Sequence, residues 1–379
     1  MMLTQAKDLI RNRYIINNRN DNTITIGDKS LINFSSNDYL GIAEHPVVKQ
    51  AFINGIQQYG NGSSSSALVS GFYHSHRMLE DAFAEFLNRD RAILFNSGYL
   101  ANIGVITALA NRSGKIFVDK LCHTSTLDGI RLSRAKFVRY AHNDVNHLAT
   151  LLSQSSNNSL VITESIFSME GKISPINQIV TTTQAHPIKL MVDDAHAAGV
   201  LGKNGRGICE YYNLSQQDVP CLIVPLSKAF ASMGSIVSGS QDLIECLIQF
   251  SKTYCYTTAL PPAIANATLA ALKIVETENW RRAKLQELIK FFIVQAKQRN
   301  LALLSEDLTP IKPILIGDND CALQIKEALM QKGFFVSCIR PPTVPQDTAR
   351  IRVALNCLHH EKDIIDLLDL MAFFHDKFS

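Results

Sequence analysis

Short apolar segments alternate with stretches of helical periodicity through most of the chain. Each segment has four or five residues and is rich in branched or aromatic side chains, which is typical of buried strands. The segments are Arg91–Phe95, Lys115–Asp119, Lys136–Tyr140, Leu160–Thr163, Lys189–Asp193 and Leu222–Pro225. Because helices separate these strands, the pattern predicts an α/β fold with a mainly parallel sheet covered on both faces.

The two ends of the chain have different patterns. A charged segment through Tyr14 predicts a helix, and Thr23–Ile26 and Leu31–Phe34 predict a hairpin. After Pro262 we expect the helices Ala263–Thr277, Trp280–Arg299 and Glu361–Phe374, with strands near Ile311–Ile316, Phe334–Ile339 and Ala349–Ala354. These patterns predict an N-terminal segment over 1–40, a large domain over 41–275 and a small α+β domain over 276–379.

Composition excludes several classes of function. The 379 residues are 46% apolar and 19% charged, and 37 basic side chains oppose 34 acidic ones. A net charge of +3 without runs of like charge does not indicate a nucleic-acid or membrane surface. The eight cysteines are scattered without a C-x-x-C pair, which favours reduced, buried thiols. Without a signal segment or a long apolar run, we expect a cytoplasmic protein.

The usual nucleotide-binding and hydrolase motifs are absent from the sequence. It contains no G-x-x-x-x-G-K-[ST], no G-x-S-x-G and no H-E-x-x-H, and no predicted strand is followed by G-x-G-x-x-G. Open α/β sheets bind ligands at the carboxyl ends of their strands. The polar residues that follow the predicted strands are therefore the candidates for catalytic or binding roles.

The segment Asn96–Tyr99 follows one predicted strand and opens a predicted helix over Leu100–Leu109. The free N–H groups and the dipole at a helix start suit a phosphate group. An ordinary strand-to-helix turn, capped by serine and without a ligand, has the same sequence pattern. This segment alone leaves both interpretations open.

The segment Met191–His196 ends another predicted strand with two carboxylates and an imidazole. These side chains could be metal ligands, or they could lie in a solvated loop without a ligand. A third interpretation is that one carboxylate keeps a heteroaromatic nitrogen protonated. A metal site needs further ligands at a matching spacing, and the neighbouring sequence supplies none. A metal-dependent hydrolase built on Asp193, Asp194 and His196 stays an alternative.

Lys228 lies just after the predicted strand Leu222–Pro225. A desolvated lysine becomes neutral and nucleophilic, which suits a Schiff base, although a surface lysine is the ordinary alternative. A phosphate site, an acid and then a lysine at successive strand ends is the order expected for pyridoxal 5′-phosphate in a large α/β domain. His123 begins the predicted helix His123–Arg131, either as a cap or as a ring that stacks on a flat cofactor.

Five longer segments match one family of enzymes. They are Phe34–Gly41, Ala141–Asp144, Thr163–Gly171, Val192–His196 and Lys228–Phe230. Together they resemble the α-oxoamine synthases, which are pyridoxal-phosphate-dependent transferases of fold type I, and the resemblance runs nearly end to end. It implies a seven-stranded, mainly parallel sheet between helices, a small C-terminal domain, acyltransferase activity and a homodimer.

The resemblance also implies catalytic roles at the strand ends. Lys228 would form the Schiff base with the cofactor, and Asp193 would pair with the pyridinium nitrogen. His123 would stack on the ring and meet the substrate, and His196 would hydrogen-bond the phenolic oxygen of the cofactor. We expect Lys228, His123 and His196 to be the catalytic residues.

Further cofactor contacts are implied by the same resemblance. Gly98 and Tyr99 would present backbone N–H groups to the cofactor at its phosphate end, and Ser168 would hydrogen-bond the phenolic oxygen. Thr258 lies in a segment that reaches the phosphate of the neighbouring subunit in relatives. The active sites would then be shared between two subunits.

The substrates are implied by the segment Ile339–Pro345 followed by Thr348–Arg352. Both are similar to family members that join L-alanine to a pimeloyl thioester in biotin synthesis, with pimeloyl-CoA or pimeloyl-acyl-carrier protein as the donor. Residues that would meet the substrate are Arg11, Asn37, His123, Arg340 and Thr343. The alternatives are another member, such as a glycine C-acetyltransferase, and a non-catalytic subunit that keeps the fold.

One position departs from the family pattern in a way that concerns the cofactor. Relatives usually carry threonine three residues before the lysine, and its hydroxyl donates to the phosphate. This chain has Pro225 there, which offers neither a hydroxyl nor an N–H group. We therefore expect weaker retention of the cofactor.

Overall fold

The computed structural model describes residues 13–153, 159–186 and 188–378. These residues form two compact units. The small unit comprises residues up to Gly41, Ser168–Lys172 and residues from Ala283 onward, and the large unit comprises Ile42–Phe167 and Ile173–Arg282. The predicted N-terminal helix falls mostly outside the described residues, and Arg13 and Tyr14 at its end are not helical. The division into 1–40, 41–275 and 276–379 stays a prediction.

Strands are distributed over both units. They are β1 Asn18–Asn20, β2 Thr23–Ile26, β3 Lys29–Asn33, β4 Arg91–Phe95, β5 Lys115–Asp119, β6 Lys136–Tyr140, β7 Ser159–Glu164, β8 Ile188–Asp193, β9 Cys221–Pro225, β10 Ser235–Gly239, β11 Ile311–Gly317, β12 Phe334–Phe335, β13 Ser337–Ile339 and β14 Ala349–Ala354.

Helices connect most of these strands. They are α1 Pro46–Tyr59, α2 His74–Phe86, α3 Gly98–Leu109, α4 Thr124–Ser133, α5 Val145–Leu152, α6 Ile176–Gln184, α7 Ile208–Tyr211, α8 Gln241–Phe250, α9 Lys252–Cys255, α10 Pro262–Thr277, α11 Asn279–Gln298, α12 Asn319–Gln331 and α13 Glu361–Phe378, with a π-helical turn at Ala67–Gly71.

A seven-stranded sheet forms the centre of the large unit, in the order β4-β10-β9-β8-β7-β5-β6. Neighbours from β9 to β6 are parallel, and β10 is antiparallel to both β9 and β4. Six strands therefore share one direction. Every residue of β7 and β9 is buried, as expected for strands covered on both faces. The predicted α/β fold class is confirmed.

Helix α3 begins at the carboxyl edge of this sheet and positions much of the candidate site. It is apolar on all sides, and residues 101–106 are buried, which is the pattern of an interior helix. The Ser97 Oγ accepts a hydrogen bond from the Leu100 N–H at 3.2 Å. This cap satisfies one free N–H group and determines where the helix begins.

The small unit contains a four-stranded sheet, β1-β2-β3-β12, and a three-stranded sheet, β11-β14-β13. The predicted hairpin is confirmed by the antiparallel pairing of β2 with β3. The predicted continuous strand Phe334–Ile339 is wrong. The chain divides at the buried Val336, because β12 pairs with β3 whereas β13 pairs with β14 in the other sheet.

The six strands predicted for the large unit are all present, three of them with the predicted bounds. The structure adds β10, which the apolar pattern does not indicate because only Ile236 and Val237 of its five residues are apolar. No helix in the described part of the chain is both long and apolar enough to cross a membrane.

Candidate active site

The candidate active site of the large unit lies at the carboxyl edge of its sheet. Strands β4, β5, β7, β8 and β9 all end at this edge because they run in the same direction. The predicted residues Gly98, His123, Asp193 and Lys228 lie at these strand ends or within a few residues of them. Ligands of open α/β sheets bind at this edge.

A chain of hydrogen bonds joins two of the predicted residues. The Nδ2 of Asn102 donates to Asp193 Oδ2 at 2.8 Å and to Ser125 Oγ at 3.0 Å. The Ser125 Oγ lies 2.8 Å from His123 Nδ1, and the backbone N–H of His123 donates to the Glu164 carboxyl group. Asp193 and His123 thus belong to one network, held by three residues to which the sequence analysis assigned no role.

Of the network residues that were not predicted, Asn102 is the one that the sequence indicates most clearly. It is a polar residue in the middle of the apolar helix α3, and only 1% of it is exposed. Its Oδ1 is buried without a hydrogen-bond partner among the described residues. Because native proteins rarely leave a buried acceptor unpaired, an unpaired oxygen beside Asp193 indicates a polar ligand at this place.

Asp193 is buried at the end of β8, and both of its oxygens are oriented by the protein. The second oxygen accepts from the backbone N–H of Ala195 at 3.1 Å. Both donors, from Asn102 and Ala195, are neutral amides. The carboxylate can therefore still hold a cationic N–H donor, such as a protonated ring nitrogen.

Two further acids are buried close to Asp193. The pairing of β7 with β8 places Glu164 beside Asp193. Burial raises the pKa of Glu164 well above its usual range, and the charge of Asp193 raises it further. Burial also raises the pKa of Asp194 to about 8. Burial therefore favours the neutral form of both acids, and Asp194 is mostly neutral at pH 7.

The start of α3 provides N–H groups for an anion. The first N–H groups of a helix have no partner within the helix, and those of Gly98 and Tyr99 lie at this position. A Cβ atom on Gly98 would lie 2.7 Å from Cγ of Pro225, so the close approach of the helix start to the end of β9 requires glycine. The Tyr99 hydroxyl donates to Asp128 at 2.7 Å, so the backbone of Tyr99 is the part that a ligand can use.

Lys228 is half-buried in the turn that follows β9. Hydrogen bonds from Leu226 N–H to the Gly234 carbonyl and from Ala231 N–H to the Lys228 carbonyl, at 3.0 and 2.8 Å, hold this turn. Burial raises the pKa of Glu164, and the positive charge of Lys228 opposes that shift, so the two groups are close enough to interact.

Two other predicted residues lie in loops of the large unit. His196 follows Asp193 in the turn after β8 and is buried. Thr258 is exposed, and its carbonyl accepts a hydrogen bond from Asn96 Nδ2 at 2.7 Å. This contact places Thr258 beside the loop that leads into α3.

Asn37 and Ser168 lie in the small unit and are joined by Arg352. The Nε of Arg352 donates to the Ser168 carbonyl at 2.8 Å, and its Nη2 donates to Asn37 Oδ1 at 3.1 Å. The Tyr39 hydroxyl lies 3.1 Å from the same Asn37 oxygen, and burial raises the pKa of Tyr39 to about 12. Arg352 and the neutral Tyr39 thus orient Asn37, although the sequence assigned neither residue a role.

Arg340 and Thr343 lie in one turn of the small unit. The Thr343 N–H donates to the Arg340 carbonyl at 3.0 Å, and both residues line a cavity of about 440 Å³. Arg11, the remaining predicted substrate residue, lies outside the described residues. The roles implied for all the site residues remain predictions.

The residues of the large unit fit pyridoxal phosphate. The donor set combines N–H groups at the start of α3 for a phosphate, the Asp193 carboxylate for a protonated ring nitrogen and the Lys228 amine for an aldehyde. The unpaired Asn102 oxygen adds a buried acceptor at the same place. Among the residues that the structure describes, no group of three or more His, Cys, Asp or Glu side chains is placed to hold a metal ion.

Comparisons with known proteins support this assignment. Residues 29–369 match the family described as aminotransferase class I and II. A curated 8-amino-7-oxononanoate synthase from Saccharophagus degradans is 46% identical over 91% of this chain and 87% of its own length. The crystal structure of 8-amino-7-oxononanoate synthase from Francisella tularensis is 36% identical, with a TM-score of 0.81 over 90% of this chain and 97% of that chain.

A more distant solved structure carries the cofactor. It is SPT with PLP, which is 26% identical and has a TM-score of 0.93 over 97% of this chain and 93% of that chain. The fold and the site at the sheet edge therefore define a fold-type I transferase that depends on pyridoxal phosphate. The chain belongs to the aminotransferase class I and II family. The predicted family resemblance is confirmed.

Proposed function

We propose that the protein is an acyltransferase that condenses L-alanine with a pimeloyl thioester to give 8-amino-7-oxononanoate, a step of biotin synthesis. The observation that carries this proposal is the 46% identity to an 8-amino-7-oxononanoate synthase over 91% of the chain. Pyridoxal phosphate is the cofactor. When bound, it supplies an electron sink for the pair of electrons left on the substrate Cα as a bond to that carbon breaks.

Lys228 has two tasks in this proposal. Its Nζ holds the cofactor covalently before the substrate arrives. With alanine bound, the free amine of Lys228 would accept the proton from the alanine Cα and later return a proton to the product. Lys228 is half-buried in the turn after β9, at the sheet edge where Asp193 also lies, so its amine is placed for this transfer.

Asp193 keeps the pyridine nitrogen of the cofactor protonated. A carboxylate next to a cationic N–H stabilises the charged form, and the amides of Asn102 and Ala195 keep this carboxylate in place. Burial favours the neutral forms of Glu164 and Asp194, so neither of them competes with Asp193 as the partner of the ring.

The remaining cofactor contacts follow the same geometry. We assign the N–H groups of Gly98 and Tyr99 to the phosphate. His123, which caps α4 and is held by Ser125 and Glu164, covers the face of the ring.

His196 and Ser168 are assigned to the phenolic oxygen of the cofactor. In the small unit, Asn37 and Arg340 are assigned to substrate carboxylates, because a guanidinium fork and an oriented amide suit that group, and Arg11 and Thr343 complete the substrate positions.

The reaction forms one bond between the substrates. The alanine Cα bonds to the thioester carbonyl carbon, the C–S bond breaks, and the thiolate takes a proton from solvent. The former alanine carboxylate leaves as carbon dioxide, and Lys228 returns a proton to the same Cα. The bonds formed and broken balance without an oxidant.

We also propose a homodimer in which Thr258 reaches the cofactor of the partner subunit. A backbone bridge between Ser66 and Thr258 joins two surface segments that expose large apolar side chains. Val69 is 80% exposed and Tyr256 is 85% exposed. Exposed apolar side chains that cluster in this way mark a protein interface. Sedimentation of the cofactor-loaded protein is expected to give the mass of two chains, and the mass of one chain would contradict this assembly.

The mass of the product tests the proposed reaction. The cofactor-loaded protein is incubated with L-alanine and a pimeloyl thioester, offered in coenzyme A and carrier-protein forms, and with glycine plus acetyl-CoA in parallel. We expect 8-amino-7-oxononanoate only from alanine with a pimeloyl donor, and the faster donor identifies the acyl carrier. Product from glycine and acetyl-CoA alone would refute the proposal.

A further inference from the structure

A cavity in the small unit combines polar and apolar walls with positive charge. Its volume is about 440 Å³, within the range of small-molecule sites. Leu323, Ile339 and Pro341 contribute apolar surface, and Lys326 and Arg340 contribute two cations. A cavity of this composition suits an apolar chain that ends in an anion.

Lys326 is held in a defined position at this cavity. Its Nζ donates to the Tyr14 hydroxyl at 3.1 Å and lies 4.9 Å from the centre of the Tyr14 ring. The ring of Tyr14 packs edge-on against Phe335, with 5.4 Å between the ring centres. The contact with Phe335 supports the Tyr14 ring, and the Tyr14 hydroxyl orients the ammonium group.

The cavity is electropositive at its β13 wall. Burial raises the pKa of Cys338 on that strand to about 11, while the charges of Arg340 and Lys326 oppose the shift. Both cations therefore act at the same wall. Glu327 is the one carboxylate among the lining residues that the structure describes, and it is exposed, so two cations face one solvated anion.

We propose that this cavity binds the distal part of the acyl chain and that Lys326 pairs with the carboxylate at the far end of that chain. The inference rests on the proposed function, in which the acyl donor is a seven-carbon diacid attached through one end. A half-buried ammonium stabilises a carboxylate more strongly than an exposed one does, because water screens it less. Lys326 is thus a specificity-determining residue for diacid-derived thioesters.

The same chemistry excludes other acyl donors. An acetyl group is too short to use the apolar walls, and an unbranched fatty acyl chain offers no partner to the ammonium. A chain end without charge would leave Lys326 partly desolvated without an anion. Selectivity for the terminal carboxylate is therefore expected to depend on Lys326, with Arg340 as the second cation of the cavity.

Steady-state kinetics with two donors of equal length test the inference. We expect Lys326→Met to raise the KM for the pimeloyl thioester about 10- to 100-fold with little change in kcat, because one charge-assisted hydrogen bond is lost. The KM for the heptanoyl thioester, which lacks the terminal carboxylate, should not rise. Lys326→Arg should restore most of the preference. The matched control is Lys332→Met, which removes an exposed lysine just after the same helix and should behave as wild type.

Calorimetric binding of heptanedioate separates this inference from the proposed function. We expect the wild-type protein to bind the free diacid and Lys326→Met to bind it at least about 10-fold more weakly, with cofactor loading unchanged. Equal binding by both proteins, or an equal rise in KM for both donors, would overturn the role of Lys326. If no product forms from alanine and a pimeloyl donor while Lys326 still governs diacid binding, the proposed reaction fails and the diacid site stands.

Discussion

The substitution Asp194→Asn tests whether the two adjacent aspartates at the end of β8 differ in charge. Asp194 is 0% exposed, and its oxygens lie 3.3 and 3.4 Å from the backbone nitrogen of Ile208. Burial raises the pKa of Asp194 from 3.8 to about 8. Asparagine has nearly the same shape and resembles the neutral acid, so the folded protein should accept it.

The magnitude follows from proton linkage. Between pH 3.8 and about 8 the folded protein retains a proton that the unfolded chain releases, so this carboxyl group lowers the stability as the pH rises. At pH 7 the cost is about 4 kcal/mol relative to a side chain that does not titrate. The new amide of asparagine, if left unpaired, costs about 1–3 kcal/mol. We therefore expect a net gain in the free energy of unfolding of about 1–3 kcal/mol at pH 7.

Urea unfolding of both proteins at several pH values between about 5 and 8 measures this difference. The gain in the free energy of unfolding of Asp194→Asn should grow as the pH rises, because Asp194 titrates only in the wild-type protein. The control is Asp242→Asn, which replaces an exposed aspartate in the first turn of α8 and should change stability by less than about 1 kcal/mol. A stability difference for Asp194→Asn that is independent of pH, or a net loss at pH 7, would refute the reasoning.

Three further substitutions test the cofactor site. Asp193→Asn should lower turnover at least about 100-fold while the protein remains folded, because the charge opposite the ring nitrogen is lost; near-normal turnover would contradict that role. Gly98→Ala places a Cβ 2.7 Å from Pro225 Cγ and should weaken cofactor binding about 10-fold by absorbance titration, whereas Gly62→Ala, whose Cβ meets nothing within 4 Å, should not. Pro225→Thr should bind the cofactor about 10-fold more tightly through a new hydroxyl, and unchanged affinity would show that Pro225 costs nothing.

The fold was largely predictable because its strands are buried on both faces and separated by helices, so apolar segments and strands coincide. Strand β10 could not be predicted from the apolar pattern, because only two of its five residues are apolar. It forms because β4 and β9 supply hydrogen bonds on either side. The division of Phe334–Ile339 into two strands could not be predicted from the sequence either, because it depends on which sheet each half joins.

The site was predictable where topology alone brings residues together. Strand ends of a parallel sheet meet at one edge, so Gly98, Asp193 and Lys228 could be placed from the order of the strands. The residues that hydrogen-bond these side chains could not be predicted in this way. The contact between Asn102 and Asp193, for example, joins positions 91 residues apart in the sequence. Arg352 likewise orients Asn37 across 315 residues.

Chemical mapping of the cofactor tests the central claim that Lys228 carries pyridoxal phosphate at this sheet edge. Borohydride reduction makes the bond between lysine and cofactor permanent, and trypsin then cannot cleave after the modified lysine. We expect the cofactor mass on a single peptide over 207–252, in which Lys228 is the only internal cleavage site. A label on another lysine, or a label that persists in Lys228→Ala, would contradict the account.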